Sequence, residues 1–132
     1  MCGRFTLDPT IKFYERFKVS NRLDGLLPLY DIAPSQDVPI IIQNSPYRIV
    51  MMCWGLIPYW AKDERIGYNT INAKAETLTE RPAYRGLLRS KRCIVPASGF
   101  YEWQDTREKK QPSYIHADAG EYFPLPDSMI SG

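Results

Sequence analysis

Only three cysteines occur in the chain, Cys2, Cys53 and Cys93, an odd set with no Cys-x-x-Cys spacing. That composition excludes a disulfide framework, argues against a zinc site and fits a reducing compartment. Histidine is scarcer still, with His116 alone. The formal charge is only +2, so no overall polyelectrolyte character marks the molecule as a nucleic-acid coat. The chain does not open with a basic segment followed by an apolar run, and no stretch approaches the roughly eighteen apolar residues of a membrane span. A cytoplasmic protein that is neither secreted nor membrane-spanning is expected. Repeats, low-complexity tracts and interdomain linkers are missing too. With 132 residues, 44% of them hydrophobic, one domain covering residues 1–132 is expected.

What charge there is clusters. Between Arg81 and Lys110 stand eight basic residues against three acidic ones, and no Lys or Arg follows Lys110. Such a segment is either a phosphate-facing surface or a solvated helix face followed by a hairpin tip. Eleven prolines and eight glycines break the chain into short elements. Asp8-Pro9 predicts a helix start, with Phe13, Tyr14 and Phe17 on one face of a helix from about Pro9 to Lys18. Val38–Gln43 and Tyr47–Trp54 read as strands joined by a turn at Asn44-Ser45-Pro46. Gly55 to Asn69 reads as a long aromatic loop over a groove, and Arg81-Pro82 as the start of a short helix ending near Ser90. Cys93–Pro96, Phe100–Gln104 and Ser113–Ala117 are strand-like, with a charged tip at Asp105–Lys110. The pattern predicts an α+β fold, mainly β, with a barrel-like core of short strands and a few peripheral helices.

Cys2 is small enough for Met1 to be removed, which leaves an N-terminal cysteine bearing both a thiol and an α-amine. That amine has a reference pKa of about 7.7–8.0, so part of it is nucleophilic near neutral pH. Amine attack on an aldehyde gives an imine, and thiol attack on the imine closes a thiazolidine ring. The chemistry indicated is covalent capture of a carbonyl. Gly3 permits close backbone approach and Arg4 suits a phosphate. Trp54-Gly55 is either a stacking platform for a base or simply core. Asn72 offers a donor and an acceptor for orienting an amine. Glu102, between Tyr101 and Trp103, is a lone carboxylate among aromatics, suited to proton transfer.

Five segments occur in order: Met1-Cys2-Gly3-Arg4-Phe5, Leu29-Tyr30-Asp31-Ile32-Ala33-Pro34, Trp54-Gly55-Leu56-Ile57-Pro58, Ile71-Asn72-Ala73-Lys74-Ala75-Glu76-Thr77, and Cys93 through Val95-Pro96-Ala97-Ser98-Gly99-Phe100-Tyr101-Glu102-Trp103. Through them the chain resembles the SRAP family, the SOS response-associated peptidase-like proteins that process abasic sites in DNA, from Cys2 to about Tyr114. The resemblance implies self-removal of Met1 and a covalent thiazolidine crosslink between Cys2 and an abasic site in single-stranded DNA. It makes Asn72 the residue that orients the amine and Glu102 the proton-transfer residue, with lyase activity as a side reaction. It places Trp54, Gly55, Lys74 and Trp103 along a DNA groove, and Arg4, Arg81 and Arg85 as phosphate contacts. No metal or organic cofactor is implied.

Two departures from the family pattern stand out. Asp31 occupies a position where the family commonly has Asn. The family also continues further, with a later catalytic histidine, so the chain looks like a member lacking its C-terminal part, and His116 does not inherit that role. Exposed strand edges and self-association are therefore expected. Two other functions fit the residues: an N-terminal-nucleophile cysteine peptidase acting on proteins, and a non-catalytic nucleic-acid-binding remnant.

Overall fold

A computed structural model describes residues 3–43 and 45–125, together with the backbone of 130–131. Ten strands are described: β1 (Phe5–Leu7), β2 (Leu29–Ile32), β3 (Asp37–Ile42), β4 (Arg48–Trp54), β5 (Cys93–Ile94), β6 (Pro96–Ala97), β7 (Gly99–Asp105), β8 (Lys110–His116), β9 (Phe123–Pro124) and β10 (Ile130–Ser131). Two helices, α1 (Ile11–Phe17) and α2 (Pro82–Arg85), and two 3-10 turns, Glu64–Asn69 and Ala75–Thr77, complete the order. One sheet runs β2-β1-β7-β8, a second β10-β4-β3-β5, and β6 pairs with β9. All pairings are antiparallel. The α+β, mainly β architecture stands. The barrel-like core takes the form of two open four-stranded sheets, and closure is not among the described pairings.

The two long hairpins form where the sequence is richest in β-branched and aromatic residues. β3 pairs with β4 over its whole length, from Asp37 opposite Cys53 to Ile42 opposite Arg48. Pro39 is tolerated inside β3 because β5 pairs only with Ile41 and Ile42, leaving the other flank of Pro39 outside the ladder. The β7–β8 hairpin pairs Gly99 with His116 through Asp105 with Lys110. At its tip Thr106 N–H donates to the Lys109 carbonyl at 3.1 Å.

The core lies between the two large sheets. Phe5, Leu7 and Ile32 from one meet Val38, Ile40, Ile49 and Trp54 from the other, all buried. Phe5 and Trp54 make an edge-to-face contact, with centroids 5.1 Å apart and planes at 72°. Phe13 is the one fully buried residue of α1 and joins the core through Phe17 and Tyr122.

The first helix begins later than the Asp8-Pro9 pattern predicts, with Thr10 rather than Asp8 at its N-cap. Tyr122 explains the delay. Its hydroxyl donates to the Asp8 carbonyl at 2.7 Å and accepts from Thr10 N–H at 3.1 Å. The chain is thereby held extended across the positions where a helix would start. The second helix is shorter than expected, four residues followed by turns to Ser90.

Candidate functional site

β1 is only three residues long, yet it is held on both sides. Phe5 faces Ile32 of β2 and Phe100 of β7, and Thr6 faces Gly99. The ladder continues past the strand, since Tyr101 N–H donates to the Arg4 carbonyl at 3.0 Å. Arg4, the residue before β1, is thereby bonded to Tyr101, the neighbour of Glu102 on β7. Cys2 lies outside the described residues.

Alternation along β7 divides its side chains between two faces. Phe100 and Glu102 share the face turned toward Phe5, and Glu102 is half-buried there. Tyr101 and Trp103 share the other face, with ring centroids 6.4 Å apart, joined by Tyr114 at 5.0 Å from Tyr101. Trp103 thus points away from Glu102. Gly99 makes this outer face possible: an added Cβ would come within 2.2 Å of the Tyr114 hydroxyl. That hydroxyl instead reaches Thr6 Oγ1 at 2.8 Å and stitches β8 to β1.

Asn72 is placed by the loop after β4. Trp54 is 1% exposed and donates from Nε1 to the Ile71 carbonyl at 3.2 Å. Leu56 N–H donates to the Thr70 carbonyl at 3.3 Å, and the Thr70 hydroxyl donates back to the Leu56 carbonyl. These bonds clamp residues 70–71 to the end of β4. Asn72 follows directly, with its side-chain oxygen buried. Phe5 and Trp54 therefore connect the two candidate groups: Phe5 pairs two residues before Glu102, and Trp54 holds the residue before Asn72. The core reading of Trp54 is the one the structure bears out; its ring offers no open face for a base.

Gly55 bears directly on that clamp. Its φ is +127°, and an added Cβ would lie 2.7 Å from the Gly67 carbonyl oxygen, a backbone atom. Both the left-handed conformation and the contact disfavour any side chain. Gly55→Ala is expected to cost about 2 kcal/mol or more of folding stability, from backbone strain and overpacking together. Urea unfolding measures this, and an unchanged midpoint would contradict the geometry.

Three of the candidate cations stand close in sequence to members of a second apolar cluster of Leu56, Ala73 and Tyr84. Lys74 follows Ala73 and caps the Ala75–Thr77 turn. Arg81 stands at the N-cap position of α2 and Arg85 is its last residue. All three are exposed, and Tyr84 between the two arginines is buried. Arg4 behaves differently, with Nη1 2.6 Å from Asp31 Oδ1 on β2. His116 is exposed on β8 and stacks on Tyr114 with centroids 5.2 Å apart.

The structure also exposes aromatics that sequence patterning did not single out. Tyr59 is 99% exposed, and Trp60 and Tyr68 are also open, with Lys62 and Arg65 nearby in sequence. Their signal was the placement of aromatics in a loop interrupted by Pro58 and Gly67, where no core periodicity claims them. Rings presented this way suit stacking on bases. Cys53 and Cys93 are poor nucleophiles by comparison. Burial, then the Asp37 and Glu64 carboxylates, pushes the Cys53 thiol up, and desolvation pushes Cys93 up as well.

Two antiparallel sheets on one core, with Arg4 bonded to the strand that carries the half-buried Glu102, define an α+β protein. The chain belongs to the SOS response associated peptidase (SRAP) family, whose sequence model matches residues 1–126. It is 47% identical over 134 aligned residues to the abasic site processing protein YoqW of Bacillus subtilis, covering 92% of this chain and 60% of that one. To the abasic site processing protein HMCES of Gallus gallus it is 36% identical, covering 79% of this chain and 35% of the relative. A crystal structure of a Bacteroides thetaiotaomicron protein superimposes with a TM-score of 0.81 at 29% identity, covering 94% of this chain and 58% of that one. The chain thus spans about 60% of the length of the bacterial relative.

Proposed function

We propose that the protein processes abasic sites in single-stranded DNA by forming a covalent crosslink through Cys2 once Met1 has been removed. The observation that supports this reading is the pairing of β1 with β7, extended by the bond from Tyr101 N–H to the Arg4 carbonyl, next to Glu102 in the chain. The names of the relatives support the substrate class. The α-amine of Cys2 adds to the ring-opened deoxyribose aldehyde and water leaves, giving an imine. The thiol then adds to the imine carbon, its proton passing to the nitrogen, and a thiazolidine closes. Asn72 orients the amine, and Glu102 carries protons during addition, dehydration and ring closure.

The cations at Lys74, Arg81 and Arg85 track the sugar–phosphate backbone. Tyr59 and Trp60 supply the base-stacking faces that buried Trp54 does not, while Gly55 shapes the loop between them. Imine formation at an abasic site also opens a lyase side reaction through loss of the 3′ phosphate. No step calls for a metal or organic cofactor.

Intact-mass measurement tests the reading. The purified chain should have lost Met1. After incubation with an abasic single-stranded oligonucleotide, a species should appear at the summed masses less one water. An intact oligonucleotide should give none. Retained Met1 with no adduct would reject the crosslinking function, and cleavage of added protein substrates instead would favour the peptidase reading.

A further inference from the structure

Arg4 and Asp31 sit at the edge where the chain begins. Arg4 Nη1 and Asp31 Oδ1 are 2.6 Å apart, a charge-assisted contact between the residue before β1 and β2, and both side chains retain solvent access, at 43% and 71%. The Arg4 backbone is fixed independently by the bond from Tyr101 N–H. Asp31 therefore is not needed to hold the Arg4 main chain; its carboxylate acts on the guanidinium alone. A hollow of about 360 Å³, lined by Leu29, Tyr30, Asp31, Ile32, Gln36 and Asp37, opens on the Asp31 side of the pair. Next to Asp31, the Tyr30 hydroxyl is 3.4 Å from Asp8 Oδ2, so a second carboxylate lies along the same edge.

We infer that Asp31 is an affinity-setting residue, an internal anion that competes with a DNA phosphate for the Arg4 guanidinium. The inference rests on the DNA-binding reading above and assigns Asp31 a role in it. In the unbound protein Arg4 is neutralised by a partner in its own chain. When single-stranded DNA docks, the Arg4–phosphate contact forms at the expense of Arg4–Asp31, so part of the phosphate's binding energy is offset. The carboxylate is then left facing the polyanion, which lowers affinity further. The protein would hold the backbone near Cys2 loosely, and permanence would come from the covalent bond rather than from the grip on phosphate.

The test measures binding of a labelled oligothymidylate, free of abasic sites, across a salt series for four proteins: the unaltered chain, Asp31→Asn, Arg4→Gln with Asp31→Asn, and Glu15→Gln as a control for net charge. Exposed ion pairs of this kind carry effects of about two- to fivefold. Asp31→Asn should tighten binding by about that factor at low salt. It should also steepen the logarithmic salt slope by about 0.7, one further phosphate neutralised on a single strand. The double variant should lose the gain, because the guanidinium that Asp31→Asn releases is no longer there. Glu15→Gln, on the exposed face of α1, should change neither quantity.

If the unaltered chain binds and Asp31→Asn matches it or the Glu15 control, or if the gain persists without Arg4, the inference is overturned and the DNA-binding reading stands. If no protein binds at the lowest salt, both fall together. Urea midpoints recorded alongside keep folding separate from binding. A pair this exposed contributes little to stability, so all four proteins should unfold alike.

Discussion

Cys2→Ser should reduce the denaturation-resistant adduct with abasic single-stranded DNA to background, the largest effect expected of any substitution in this chain. Serine keeps the α-amine, so an imine can still form and be trapped by borohydride. What it lacks is a thiol able to close the ring, and the uncaptured imine hydrolyses. The remaining cysteines do not substitute. Cys53 and Cys93 carry no α-amine, and desolvation raises both thiols above their ordinary value. Denaturing electrophoresis and intact mass read the result. A stable adduct undiminished in Cys2→Ser would remove Cys2 from the mechanism.

The second large effect is expected at Glu102. Glutamine preserves its size and its place opposite Ser113 on β8 while removing the ability to take and give a proton. General acid–base assistance is typically worth about 10²–10⁴-fold, so Glu102→Gln should slow crosslinking by a factor in that range. Its reversal should slow in parallel, because the same proton transfers run backwards. Affinity for an oligonucleotide without abasic sites should not fall, since Glu102 is no phosphate ligand. Single-turnover crosslinking rates and equilibrium binding, measured on the same preparations, separate the two quantities. An unchanged rate would show that protons move by another route, and a loss of binding with the rate would mean that Glu102 shapes the surface instead.

The long hairpins were legible in the sequence because their pairing is local. The β-branched run of β3 and the aromatic run of β7 each fold onto the next strand across a short turn, so each hairpin is contained in one short stretch of chain, 37–54 and 99–116. β1 and β2 escaped notice for the opposite reason. They are three and four residues long, and their register is set by partners far along the chain: Phe5 by Ile32 and Phe100. The start of α1 was misplaced by the Tyr122 hydroxyl, which competes for the capping groups from more than a hundred residues away.

The candidate site divides along the same line. Asn72 and Glu102 are singled out by residue type and motif, and what the structure adds is the bond from Trp54 to Ile71, the residue before Asn72, and the packing of Trp54 on Phe5. Trp54 and Trp103 looked alike as aromatics beside small or acidic neighbours. Only the three-dimensional packing buries the first and turns the second to the face opposite Glu102. Exposure of Tyr59 and Trp60 was equally unreadable, since a loop aromatic has no period to betray which way it points.

The pairing of β1 with β7 also sets a timetable for the newborn chain. The first strand to be made finds its central partner only after some hundred further residues exist, because Phe5 pairs with Phe100 and Thr6 with Gly99. At about 5–20 residues per second, translation leaves the beginning of the chain without that partner for roughly 5–20 s. Contacts of such long sequence separation also carry the largest loop-closure entropy and form late in folding. The end that is manufactured first is among the last to be fitted into place.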